Sequence, residues 1–127
     1  MPTLYVVATP IGNLSDMSPR AIETLRSVQL IAAEDTRVTM KLLNAFDIST
    51  PLTSCHEHNE RSKAVQIAER MLAENIDVAV TTDAGTPCIS DPGSVLVREA
   101  AERGIPVVAV SGPTAMASAL SVSGMDI

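Results

Sequence analysis

Five short apolar runs punctuate this chain, at residues 4–8, 30–33, 51–55, 78–81 and 106–110. Between them lie segments with helical periodicity. Ser18 followed by Pro19 reads as a helix cap and first turn, with Ile22, Leu25 and Val28 turned inward. The spacing predicts a second helix over 37–46, with Met40, Leu42, Leu43 and Phe46 on its buried side. It predicts a third over 60–74, carrying Ala64, Ile67, Ala68, Met71 and Leu72. A fourth helix follows residues 82–93 and stops near Gly104, and a fifth runs from Pro113 to about residue 123. Strands that read as apolar runs rather than alternations, each separated by a helix, belong to a parallel sheet covered on both faces with right-handed crossovers. The expected fold class is therefore α/β: one three-layer domain on a mostly parallel five-stranded sheet. Residues 51–55 open with Pro51 and form the weakest strand, which suits an edge.

Length and composition fit this reading. The 127 residues suit one domain with a real core. Tyr5 and Phe46 are the only aromatics, so the interior must be aliphatic and there is no stacking platform for single-stranded nucleic acid. The formal charge is −6, with 6 basic and 7 acidic groups in residues 1–63 against 3 and 8 in residues 64–127. No polybasic nucleic-acid surface is visible, so any RNA would dock mainly on something else, and DNA is not expected as a partner. Cys55 and Cys88 show neither metal spacing nor CxxC, and a reducing cytoplasmic setting is the default. No signal peptide is expected, and no apolar run is long enough to span a bilayer.

The chemistry-bearing residues cluster after the strands. They are residues 9–13 (TPIGN), 34–37 (EDTR), 56–60 (HEHNE), 82–87 (TDAGTP) and 111–114 (SGPT). An open parallel sheet binds ligands outside the carboxyl ends of its strands, so five clusters on one edge make that edge the site. Residues 9–13 have neither GxGxxG nor the GKS/T of a P-loop, and a plain turn fits them as well as a phosphate cradle. Glu34 and Asp35 read either as helix-capping and ion-pairing groups around Arg37, or as a general base or acceptor for a substrate hydroxyl. Arg37 and Lys41 stand one helical turn apart and suit a phosphate. His56 and His58 alternate to opposite sides of an extended segment, without HExxH or a Cys partner, so no metal site is expected. One of them can serve as a base near neutral pH. Asp83 is the functional carboxylate of the fourth cluster, whereas Asp91 before Pro92 reads as a helix cap. Cys88 has no local basic partner and reads as an incidental thiol.

Taken together, TPIGNLSDMSPRA (9–21), IAAEDTR (31–37), HEHNE (56–60), TDAGTPCISDPG (82–93) and SGPTA (111–115) resemble the amino-terminal domain of the tetrapyrrole-methylase-like superfamily of S-adenosylmethionine methyltransferases. Within it they are similar to the small-subunit ribosomal RNA 2′-O-methyltransferases that act on cytidine. The five segments recur in order across nearly the whole chain.

The resemblance implies that residues 1–127 are the amino-terminal α/β domain of a two-domain enzyme, with a carboxyl-terminal domain absent from this chain and S-adenosylmethionine held in the cleft between them. Such a half is expected to be inactive alone. Ile11 and Gly12, the loop Asp83, Ala84, Gly85 and Thr86, and the pair Thr114 and Ala115 match the cofactor-contacting positions. Asp35, with Glu34 or His58, is the implied base for a ribose 2′-hydroxyl, and Asn13, Arg37 and Lys41 are substrate-binding candidates. The implied partner is small-subunit ribosomal RNA or the assembled small subunit, and the superfamily suggests a homodimer. Two alternatives stand beside this reading. One is a tetrapyrrole methyltransferase, against which Ile11 and the absence of a GR pair in the fourth loop speak. The other is a non-catalytic nucleotide-binding module.

Overall fold

The computed structural model describes residues 2–9, 17–33, 36–55, 60–82 and 93–110. Within them the chain runs β1 (Leu4–Ala8), α1 (Pro19–Ser27), β2 (Leu30–Ala33), α2 (Thr36–Ala45), β3 (Leu52–Ser54), α3 (Glu60–Glu74), β4 (Val78–Thr82), α4 (Gly93–Glu102) and β5 (Val107–Val110). All four strand pairings are parallel, in the order β3-β2-β4-β1-β5. The α/β reading and the five strands are thus observed. The fifth helix expected from Pro113 lies outside the described residues, as do Asp91 and Pro92, read as the start of the fourth.

The pleat sends alternate residues of each strand to opposite faces. Leu4, Val6, Leu30, Ala32, Val78 and Val80 pack with Ala64, Ile67, Ala68 and Met71 of α3 and Leu96 and Ala100 of α4. Val7, Ile31, Ala79 and Val110 pack with Ala21 and Leu25 of α1 and Leu42 and Leu43 of α2. Helices α1 and α2 therefore cover one face and α3 and α4 the other, as right-handed crossovers require when the chain first moves one way across the sheet and then returns. Arg103, which follows α4, stitches α3 to α4 by meeting Glu99 at 2.6 Å and Glu69 at 3.8 Å.

Two expected core residues are instead exposed. Met40 is 45% exposed and Leu72 49%. In α2 the buried stripe is Thr39, Leu42 and Leu43, with Phe46 half-buried beyond its end, and Met40 lies one residue, about 100°, off that line. In α3 the stripe Ala64, Ile67, Ala68 and Met71 is complete without Leu72. Val28 is buried as expected but has already left the helix, with ψ 160° at the carboxyl cap of α1.

Helix boundaries follow local chemistry. The Ser18 hydroxyl accepts from the Ala21 amide at 3.1 Å, with Pro19 in the first turn, as the sequence predicts. Helices α2, α3 and α4 all stop in the same way. A residue with positive φ (Asp47 at 56°, Asn75 at 53°, Gly104 at 75°) is followed by an isoleucine whose amide reaches back five residues. The bonds are Ile48 to Leu43 at 2.8 Å, Ile76 to Met71 at 3.2 Å and Ile105 to Ala100 at 2.9 Å. Each is a Schellman stop, and the isoleucine packs on the cluster beneath its helix.

These stops deliver the chain to the amino edge of the sheet, where side chains knit three strands together. The Thr3 amide donates to the Asp77 carboxylate at 2.9 Å, and the Asp77 amide donates to Gln29 Oε1 at 2.7 Å. The Gln29 amide returns to the Asp77 carbonyl at 3.0 Å. Asp77→Ala removes a charge-assisted bond between segments 74 residues apart, and we expect it to lower stability by about 1–2 kcal/mol in urea titration. For Gly104→Ala, an added Cβ meets nothing within 4 Å. Only the backbone penalty of a positive φ remains, so the expected loss is about 1 kcal/mol in the same assay, with an unchanged m-value.

Candidate functional site at the carboxyl edge of the sheet

The direction in which each strand hands on its chain defines the crevice. β1 and β2 lead to α1 and α2 on one face, whereas β4, which lies between them, leads to α4 on the other. Chains leaving neighbouring strands in opposite directions open a gap at the carboxyl edge, where ligands of parallel sheets bind. Here the gap flanks β4 on both sides, at its borders with β1 and β2.

Most of the residues expected to act here lie outside the described residues. They are Ile11, Gly12, Asn13, Glu34, Asp35, His58, Asp83, Ala84, Gly85, Thr86, Thr114 and Ala115, and the same holds for His56 and Cys88. Each belongs to a segment whose preceding strand ends at this edge: β1 at Ala8, β2 at Ala33, β3 at Ser54, β4 at Thr82 and β5 at Val110. Arg37 and Lys41 are described. Both are exposed on the first turns of α2, a helix without an acidic side chain. Cys55, just beyond β3, is in no disulfide and is buried in the core against the α3 side. Its amide is held by the Ala33 carbonyl at 2.8 Å.

Two described residues stand at the crevice: Thr9, the first residue of the 9–13 cluster but given no role of its own there, and Thr81, just before the fourth cluster. Thr81 is 1% exposed and Thr9 is 7% exposed, and neither hydroxyl has a hydrogen-bond partner among the described residues. Thr81 sits in register between Val7 of β1 and Ala33 of β2. It shares the face of Ala79, the α1/α2 side, and Thr9 follows Val7 on that same side by strand alternation. Buried Thr24 shows the ordinary solution, its hydroxyl donating to the Arg20 carbonyl at 2.8 Å. A buried hydroxyl left without a partner costs about 1–3 kcal/mol. Valine fills the same volume without that cost, so shape alone does not account for the two threonines. Sequence reasoning gives neither a role of its own, because a β-branched residue at a strand end is unremarkable by pattern.

The surroundings limit what this pair can accept. Val7, Ile31, Ala79, Leu25 and Val110 make the α1/α2 side of the sheet apolar, and a charge placed there without a counter-charge is strongly disfavoured. Amphoteric hydroxyls in such a place suit an uncharged polar group, such as another hydroxyl or a heterocyclic nitrogen. Among the described residues no three His, Cys, Asp or Glu side chains gather in a way that could hold a metal ion. No described helix is long and apolar enough to cross a membrane.

Comparison with known proteins places this arrangement. The chain is 55% identical to Ribosomal RNA small subunit methyltransferase I of Pseudomonas aeruginosa, over 97% of this chain and 43% of that protein. It is 51% identical to the protein of the same name from Synechocystis sp., over 98% of this chain and 44% of that protein. The chain thus spans less than half the length of these curated relatives. Among solved structures, it superimposes on a putative cobalamin synthesis related protein from Corynebacterium diphtheriae with a TM-score of 0.64. That match covers 98% of this chain and 58% of the other at 21% identity, a likeness of fold. The family model for tetrapyrrole (corrin/porphyrin) methylases matches residues 3–127, and the chain belongs to that family.

Proposed function

We propose that this chain is the amino-terminal half of a two-domain S-adenosylmethionine-dependent methyltransferase that acts on the 2′-hydroxyl of a cytidine in small-subunit ribosomal RNA. The observation that carries this reading is identity of about half the residues, along nearly the whole chain, to proteins named Ribosomal RNA small subunit methyltransferase I. The topology supports it, because all five motif-bearing segments follow strands that end on one edge. The reading carries with it a cytoplasmic homodimer that works on the assembled small subunit or its RNA. A porphyrinoid acceptor is disfavoured by Ile11 and by the lack of a GR pair in the fourth loop.

When bound, S-adenosylmethionine supplies a methyl group already activated by its sulfonium. In this proposal Ile11, Gly12, Asp83, Ala84, Gly85, Thr86, Thr114 and Ala115 hold it. The remaining tasks fall to the protein: aligning the acceptor oxygen and removing its proton. Asp35, assisted by Glu34 or His58, takes the 2′-hydroxyl proton. Asn13, Arg37 and Lys41 hold the RNA backbone, and exposure on α2 leaves the two cations accessible to a phosphate. No metal is needed for this chemistry.

The test uses the full-length protein that carries this sequence, labelled methyl donor, and small-subunit particles beside porphyrinoids as acceptors. Label should enter the ribosomal RNA and not the porphyrinoids; the opposite pattern sinks the reading. Asp35→Ala should cut turnover by about 10²-fold or more while donor affinity stays unchanged, and wild-type turnover would remove Asp35 from the mechanism. Lys41→Ala should weaken RNA binding and reduce the slope of log affinity against log salt by about 0.7–0.9, read by filter binding.

A further inference from the structure

We propose that the groove between α1 and α2 seats the phosphate backbone of the RNA that flanks the reacting nucleotide, with Arg26 as its far cation. The inference deepens the proposed function and rests on it. The fold sorts charge between its two helical layers. Helix α1 carries Arg20 and Arg26 against Glu23, and α2 carries Arg37 and Lys41 with no acidic side chain. All four cations are exposed. The opposite layer neutralises cations of its own: Arg70 meets Glu74 at 3.0 Å and Arg103 meets Glu99 at 2.6 Å. Among the described residues Arg26 and Lys41 enter no ion pair. Composition shows no polybasic run, because residues 26, 37 and 41 are brought together only by the fold.

Helical phase directs these cations to one groove. At about 100° per residue, the buried line Ala21, Thr24 and Leu25 turns α1 onto the sheet. Ile22 and Arg26 then lean to one flank, and Arg20 and Glu23 to the other. The flank that faces α2 is the first, because the Arg26 guanidinium donates to the Phe46 carbonyl at 2.6 Å. The two helices run parallel, since each connects parallel strands. In α2 the buried line Thr39, Leu42 and Leu43 leaves Val38, Lys41 and Ala45 on the flank toward α1, and Met40 and Asn44 on the flank toward the β3 edge. Arg37 stands on the crest between those flanks. Arg26, Arg37 and Lys41 therefore border the groove, while the acid of α1 leans away from it. Both helices begin at the carboxyl edge, so the groove opens on the candidate crevice. Arg26 lies seven residues past Pro19, about 10 Å along α1 from that opening. Like charges gathered around one groove repel one another, and a polyanion laid along it removes the repulsion. Phosphates suit the track because cations hold them whatever the base. The Phe46 carbonyl takes one of the five guanidinium donors of Arg26 and leaves the others for a phosphate.

The experiment uses the full-length protein that carries this sequence and its Arg26→Gln, Arg26→Lys, Val38→Glu and Met40→Glu variants. Methyl transfer to small-subunit particles gives KM and kcat, and filter binding of small-subunit RNA gives the salt slope. Thermal melting and sedimentation of each protein run alongside. Val38→Glu sets a carboxylate in the groove at an exposed helical position, where Glu is the better helix former, and removes no hydrogen bond of Arg26. Arg26→Gln and Val38→Glu should each raise KM for particles about 3- to 10-fold with kcat unchanged, a loss of binding rather than of chemistry. Arg26→Gln should also lower the slope of log affinity against log salt by about 0.7–0.9, and Arg26→Lys, which keeps the charge, should restore it. Met40→Glu, the same change on the far flank of α2, should cost clearly less, since screening blunts a charge within about 8 Å. Arg26→Gln that melts lower but keeps the wild-type KM and slope would make Arg26 a helix cap only and overturn the seat. Equal losses from Met40→Glu and Val38→Glu would overturn it too. So would a changed oligomeric state in Arg26→Gln with RNA affinity intact, which would make the groove a protein interface. If Arg26→Gln did not fold, Val38→Glu against Met40→Glu would decide. A wild-type protein that labelled no small-subunit RNA would remove the proposed function and the seat with it, whereas normal labelling by wild type and variants alike would remove the seat alone.

Discussion

β4 holds the sheet together across its middle. It is hydrogen-bonded to β1 on one side and to β2 on the other, and β1 and β2 do not touch each other as ladder partners. The two halves of the chain, β1 with β5 and β2 with β3, are therefore joined by this single strand. Val78 and Val80 face α3 and α4, and Ala79 faces α1 and α2. A strand buried on both faces and paired on both edges is the most constrained position in a parallel sheet. The candidate crevice lies at the carboxyl end of this strand.

The two edges of the sheet are built on opposite principles. At the amino edge Thr3, Gln29 and Asp77 satisfy one another, and three helices arrive through Schellman stops sealed by Ile48, Ile76 and Ile105. At the carboxyl edge the hydroxyls of Thr9 and Thr81 are buried with no hydrogen-bond partner among the described residues. One end holds the strands in register, and the other keeps polar capacity in reserve. Such a division lets the segments between strand and helix carry chemistry while the fold depends little on them.

Much of the fold was legible from local pattern, and its failures have physical causes. Apolar runs marked all five strands, Ser18-Pro19 marked the start of α1, and Gly104 marked the end of α4, because each depends on only a few neighbouring residues. Asp47 and Asn75 stop α2 and α3 in the same way as Gly104, but acidic and amide residues occur too widely for their left-handed conformation to be read from sequence. Met40 and Leu72 were placed inside because hydrophobicity was counted without the exact helical phase, which is set by tertiary packing. The central place of β4 is a matter of strand order, to which no local periodicity speaks. The clusters follow strands that all end on one edge, and that much comes from topology alone. Sequence reasoning gave no separate role to Thr9, within the first cluster, and passed over Thr81, because their character depends on what surrounds them rather than on what they are.

The strand order has a consequence for synthesis on the ribosome. When α1, β2, α2 and β3 have emerged, β2 and β3 can already pair, but β1 has neither of its neighbours. Its partners are β4 and β5, some seventy and a hundred residues further along. Until then Leu4, Val6 and Val7 have nothing to lie against in the sheet, and both backbone edges of β1 are open. Pairings so distant in sequence form late and leave apolar surface available to wrong partners in the interval. On synthesis β1 therefore stays unpaired until β4 has emerged, an order set by the same central strand that joins the two parts of the finished sheet.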